Sequence, residues 1–158
     1  MVAARGLLVS LVFLALLSSC ATAGQQVAFG IGVNTVGGQL DLRLDERWLG
    51  ELRYVMGESD DATSRAYSAR ASRLFAATPR LHGYLGAELA AVSIKSQGRR
   101  ISGAASGAFA GVEFATLKAV RLRVDAGPYS LLLKEAATGT STSSLVFVAN
   151  SAIVYYFY

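Results

Sequence analysis

The sequence is short of charge. Of its 158 residues, 16% are Asp, Glu, Lys or Arg, against about 25% in an ordinary soluble domain. That is less charge than a water-facing surface normally carries. Lysine is scarcer still, present only at positions 95, 118 and 134. The net charge of +4 is spread along the chain, which leaves no basic groove and argues against a nucleic-acid partner. A single cysteine, Cys20, excludes an internal disulfide and any cysteine-based zinc cluster. Histidine occurs once, at His82, and proline twice, at Pro79 and Pro128. After residue 24 no run is long and apolar enough for a spanning helix.

The one continuous apolar run is at the start. Arg5 precedes Gly6 to Leu17, a stretch too short to cross a bilayer and of the length of a signal-peptide core. Ala21-Thr22-Ala23 before Gly24 is a small-residue cleavage site. It predicts a signal peptide over 1–23 and a mature domain over 24–158. Leu17-Ser18-Ser19-Cys20 also resembles a lipobox, and cleavage before Cys20 would leave that residue lipidated. Either route exports the chain from the cytoplasm.

What the mature chain has is alternation of period two, broken by turn chemistry. Val27, Phe29, Ile31 and Val33 alternate with Ala28, Gly30 and Gly32. Leu40, Leu42 and Leu44 alternate with Asp41 and Arg43. The same pattern returns over 48–56, 64–76, 81–95, 104–114 and 120–126, and in the last strand, 144–158. Eight antiparallel strands are predicted, with tight turns near Arg47, Pro79 and Lys118. Loops are expected at 34–38, 57–63, 96–101 and 135–143. Pro128 is expected to mark an irregularity, because it has no N–H to give to a sheet.

The strands have one apolar face. The other carries Asp41, Arg43, Glu51, Arg53, Arg70, Glu88, Glu113, Arg121, Arg123 and Asp125, interleaved with Gly, Ala and Ser. Alternation alone does not say which face is inside. A lipocalin-like barrel buries the apolar face, and a membrane barrel does the reverse. Three features favour the membrane. The charged face uses arginine, whose fork pairs with carboxylates. Small residues between the charges suit a narrow interior. The aromatics Trp48, Tyr54, Tyr67, Phe75, Phe114, Tyr156 and Tyr158 lie near strand ends, where interface girdles belong.

The chain ends SLVFVANSAIVYYFY, with no charge and a terminal aromatic. That ending resembles the closing strand of bacterial outer-membrane barrels. The hairpins LDLRLDERWLGELRYVMG and GVEFATLKAVRLRVDAG are similar to those of small outer-membrane barrels of the OmpX, opacity and OmpA-transmembrane-domain type. The resemblance is architectural and spans the mature chain. It implies an all-β, eight-stranded, antiparallel up-and-down transmembrane barrel in the bacterial outer membrane. The partners it implies are membrane lipids, lipopolysaccharide and the barrel-assembly machinery, the last through the C-terminal strand. It also implies a monomer with a structural or envelope-interaction role and little or no pore activity.

Catalytic and cofactor patterns are poorly represented. The deacylase type of outer-membrane enzyme needs His-x-Ser, and here His82 is followed two residues on by Tyr84. Ser106 lacks the first glycine of a nucleophile elbow. No cofactor, metal or enzymatic activity is expected. Two other readings stay open: a periplasmic or lipid-anchored soluble barrel carrying a small apolar ligand, and an outer-membrane lipid-modifying enzyme.

Overall fold

A computed structural model describes residues 27–44 and 47–157. The export segment, Cys20 and Tyr158 lie outside the described residues. Eight strands follow one another: β1 (Val27–Asn34), β2 (Gly37–Leu44), β3 (Trp48–Ser59), β4 (Ala62–Thr78), β5 (Leu81–Ser96), β6 (Arg99–Ala115), β7 (Val120–Glu135) and β8 (Ser141–Phe157). Each pairs antiparallel with the next, and β8 returns to β1 to close the barrel. Closure removes the sheet edges that an open eight-stranded sheet would expose.

The ring is staggered. Following paired residues from Tyr156 through Gly30, Asp41, Glu51, Arg70, Glu88, Gly107 and Tyr129 leads back to β8 at Val146, ten residues from the start. A stagger of this kind goes with strands tilted about 35–45° to the barrel axis. It also means that residues near one another inside the barrel need not be ladder partners.

Most of the expected polar loops are strand. The 57–63 stretch is a hairpin tip whose turn is Asp60-Asp61, with Glu58 paired to Thr63. The 96–101 stretch tightens to Gln97-Gly98, both at positive φ (45° and 78°). That conformation matches the twist of a two-residue hairpin, so flanking polar residues stay in the ladder. Polarity here marks strand that has left the apolar band, not the end of the strand. At Pro128 the β6–β7 ladder skips the pairs between Gly107–Tyr129 and Ala110–Ala126 and resumes in the same register.

The barrel wall is uneven. β4 to β8 run 16 or 17 residues, whereas β1 and β2 turn early, at Thr35-Val36. β1 therefore meets β8 only over Ala152–Phe157, and β2 meets β3 only as far as Val55. Above the Thr35-Val36 turn the wall has a notch, flanked by β3 on one side and by residues 141–151 of β8 on the other.

The outer face is apolar. Leu145, Phe147, Leu89, Ile31, Val124 and Leu132 are all exposed. Phe29, Trp48, Phe75, Phe114, Tyr155 and Phe157 lie outside at the end that carries the short turns and β8's C-terminus. Arg73 stretches over Trp48 and Phe75, its guanidinium carbon 5.9 and 5.6 Å from the ring centres. Further along, Tyr54 and Tyr67 are ladder partners with ring centres 5.0 Å apart.

Candidate functional site: the charged barrel interior

Alternation sends one side chain in two inward, and the inward set carries the charge. All ten charged residues of the polar face point into the barrel. Asp41, Arg43, Glu51, Arg53, Arg70, Glu113, Arg123 and Asp125 are buried, and Glu88 and Arg121 partly so. An isolated charge in such a place would cost several kcal/mol in desolvation, so the stagger has to bring opposite charges together.

It does so through two hubs. Arg123 pairs with Asp41 (2.7 Å), Glu113 (2.9 Å) and Glu51 (3.2 Å). Its guanidinium also donates to the Tyr156 hydroxyl, which in turn donates to Asp41 (2.9 Å). Arg70 grips Asp125 in two parallel bonds, 2.8 and 3.1 Å, and reaches Glu88 (3.2 Å) and Glu51 (3.6 Å). Its flat face lies 3.6 Å from the centre of the Phe109 ring. Glu51 contacts both hubs and joins them. Arg43 closes the lower end on Glu113 at 2.7 Å, with Arg121 at 3.7 Å and His82 at 3.9 Å from the same carboxylate. The short arginine contacts are charge-assisted, and Arg70 on Asp125 has the forked geometry that favours arginine over lysine.

Tyr156 is not an interface aromatic. It is 1% exposed and packs with Ala28 and Val154 inside the barrel. Its neighbours Tyr155 and Phe157 face outward, so alternation turns Tyr156 inward. Trp48, Tyr54, Tyr67, Phe75 and Phe114 all lie on the outer face.

Three interior aromatics escape a reading of the charged face alone. Tyr84 donates to Asp125 (2.9 Å), Tyr129 donates to Glu88 (2.7 Å), and Phe109 lies beneath Arg70. The signal was parity: each shares its strand face with charged residues, as Tyr84 does with His82 and Glu88. The interior glycines make room for them. A Cβ on Gly107 would sit 2.4 Å from the Tyr129 ring, and one on Gly86 2.4 Å from Phe109.

Salt links and aromatic rings therefore fill the lower half of the lumen. Above them, toward the long hairpins, the inward residues change character. Val55, Ala66, Val92, Gly103 and Leu133 form one inward row with no charge, each half-buried. Among the described residues no cluster of three or more metal-ligating side chains forms.

Comparison with solved structures gives the same architecture. The chain is similar to Neisserial surface protein A, with 14% identity over 83% of this chain and 93% of that one and a TM-score of 0.57. It is also similar to the N-terminal β-barrel domain of Pseudomonas aeruginosa OprF, with 17% identity over 84% and 99% and a TM-score of 0.54. Both are small outer-membrane barrels. At these identities the likeness shows the fold, an eight-stranded antiparallel barrel. No family model matches the sequence, and no curated protein does.

Proposed function

We propose that the chain is exported, freed of its signal at Ala23-Gly24 and inserted in the bacterial outer membrane as a monomeric barrel. There its role is in envelope structure and interaction, without catalysis and without a wide pore. One observation carries the reading: the charged side chains are inside and the large apolar ones outside. A soluble barrel would expose Phe147 and Leu145, at 74% and 77%, to water while turning ten charged side chains inward. In lipid the same arrangement places apolar surface against hydrocarbon, with the backbone groups of the paired strands satisfied across the ladders. The six outward aromatics at the turn end match an interfacial girdle. They support placing that end, with the last strand offered to the assembly machinery, on the periplasmic side. The long hairpins would then meet lipopolysaccharide. Nothing in the lumen favours an enzyme: His82 is held beside Glu113, and no serine is hydrogen-bonded to it among the described residues.

The test is the purified full chain. It should need detergent or lipid to stay in solution, and unheated samples should migrate faster on a gel than boiled ones. A monomer that stays dispersed without either, and whose mobility is insensitive to heating, would overturn the reading.

A further inference from the structure

The short first hairpin has a consequence for the membrane. Above the outward ring of Phe29, β1 presents only Ile31 and Val33 on that face before the Thr35-Val36 turn, a climb shorter than a spanning strand of about 9–11 residues. The Thr35-Val36 turn therefore stops short of the outer surface, and the notch above it opens sideways into the outer leaflet. Its flanks are apolar near the turn, where Met56 on β3 and Leu145 and Phe147 on β8 are exposed on the outer surface, and polar above it, at Glu58 and residues 141–144. The Thr35 N–H donates to the Ser151 carbonyl. The alternate residues Ala149, Phe147 and Leu145 thus turn their backbone groups toward the notch, with no strand partner there among the described residues. Unpaired backbone at membrane depth is tolerated only where protein covers it or it lines a water-filled cavity, so these groups face the barrel opening and not the hydrocarbon. Behind the notch lies the uncharged upper lumen.

The floor of that lumen is polar and unsatisfied. Gln39, Arg53 and Ser68 are ladder neighbours on β2, β3 and β4, all pointing inward. They are 5%, 5% and 8% exposed. Each has an atom without a hydrogen-bond partner among the described residues: Gln39 Oε1, Arg53 Nε and Ser68 Oγ. The Gln39 amide is oriented by Asp41 and Glu51, to which its nitrogen donates (2.9 and 3.2 Å). Among the described residues Arg53 makes one ion pair within 4 Å, with Glu88 at 3.8 Å, too long for a hydrogen bond, and its charge also acts on Glu51. Arg43, Arg70 and Arg123 lie 2.7, 2.8 and 2.7 Å from their carboxylates. The ladder row continues from Ser68 to Ala90, Ala105 and Leu131, so the polar trio sits at the edge of apolar wall, on the strands beneath the notch.

We propose that this upper lumen binds one long-chain fatty acid. Its carboxylate would sit on Arg53 and Ser68, and its chain would lie against Val55, Val92 and Leu133 and leave through the notch. A carboxylate supplies the acceptors that the Arg53 and Ser68 donors lack, and arginine is the side chain best shaped to hold it. A linear chain is the shape that a narrow barrel and a side opening admit. The site rests on the membrane reading above for the direction of the chain, not for the polar trio.

The experiment uses the full chain folded into phosphatidylcholine nanodiscs, with empty discs as the blank and heat-modifiable mobility as the check of folding. The fluorescent fatty acid cis-parinaric acid should bind saturably at one per chain and be displaced by palmitate. Hexadecanol, which lacks the carboxylate, should compete at least about tenfold less well. Arg53→Gln should weaken palmitate by a similar factor and leave hexadecanol unchanged. Ala90→Trp, which fills the lumen, should abolish both. A folded, inserted barrel with no saturable binding overturns the site. Loss in Ala90→Trp with none in Arg53→Gln overturns the carboxylate assignment. A chain that never inserts overturns the membrane reading and the site with it.

Discussion

Replacing Arg123 with alanine gives the most direct test of the interior. The side chain is 2% exposed and holds three carboxylates, Asp41, Glu113 and Glu51, within 3.2 Å of its nitrogens. Truncation leaves those acids in place. Glu113 keeps Arg43 at 2.7 Å, and Glu51 keeps Arg70 at 3.6 Å. Among the described residues Asp41 keeps only hydrogen bonds, from Gln39 (2.9 Å) and the Tyr156 hydroxyl (2.9 Å). One buried carboxylate is then without a counter-charge, and breaking such a pair costs about 3–5 kcal/mol. The assay is equilibrium unfolding in urea of the barrel folded into lipid vesicles, followed by Trp48 fluorescence. The expected midpoint shift corresponds to that loss at unchanged slope. Arg123→Ala combined with Asp41→Asn should cost less than the sum of the two single changes, because the neutral amide no longer needs the arginine. A single-variant loss within about 0.5 kcal/mol, the range of ordinary surface substitutions, would refute the buried network.

Three further outcomes follow from the same geometry. Tyr156→Phe removes the hydroxyl shared by Asp41 and Arg123 and should cost about 1–3 kcal/mol by the same unfolding assay, with no change in membrane insertion. Val124→Arg places a charge on the exposed outer wall and should destabilise the lipid-inserted barrel by about 2–4 kcal/mol if the residue lies near the midplane; no change in lipid would refute the outward apolar band. Planar-bilayer recordings of the pure monomer should show no porin-like steps, because eight strands leave an interior that side chains can fill; stable nanosiemens-scale channels would refute the filled lumen.

Much of this barrel is local and therefore legible in the sequence. Period-two alternation is a property of a single extended chain, so the strands and their two faces could be read from Val27 onward without any partner. The ten charged positions share one parity strand by strand, and arginine with small neighbours already suggested that this face is inside. Parity also bears on Tyr156, but the cluster of four aromatics at the chain end hid it: position near the terminus suggested the girdle, while alternation turns this one ring inward. The polar tips at 57–63 and 96–101 misled for a related reason, since polarity reports the surroundings of a strand and not its hydrogen bonding.

Tertiary structure alone decided who meets whom. Arg70 and Asp125 are 55 residues apart and lie on strands β4 and β7, which are not neighbours. Arg123 reaches Asp41 and Glu51 across the lumen from β2 and β3. Such pairs depend on the ten-residue stagger with which the ring closes, and no single strand carries that quantity. The notch has the same origin. An early turn at Thr35-Val36 is unremarkable in sequence, and it becomes an opening only when β3 and β8 continue past it on either side.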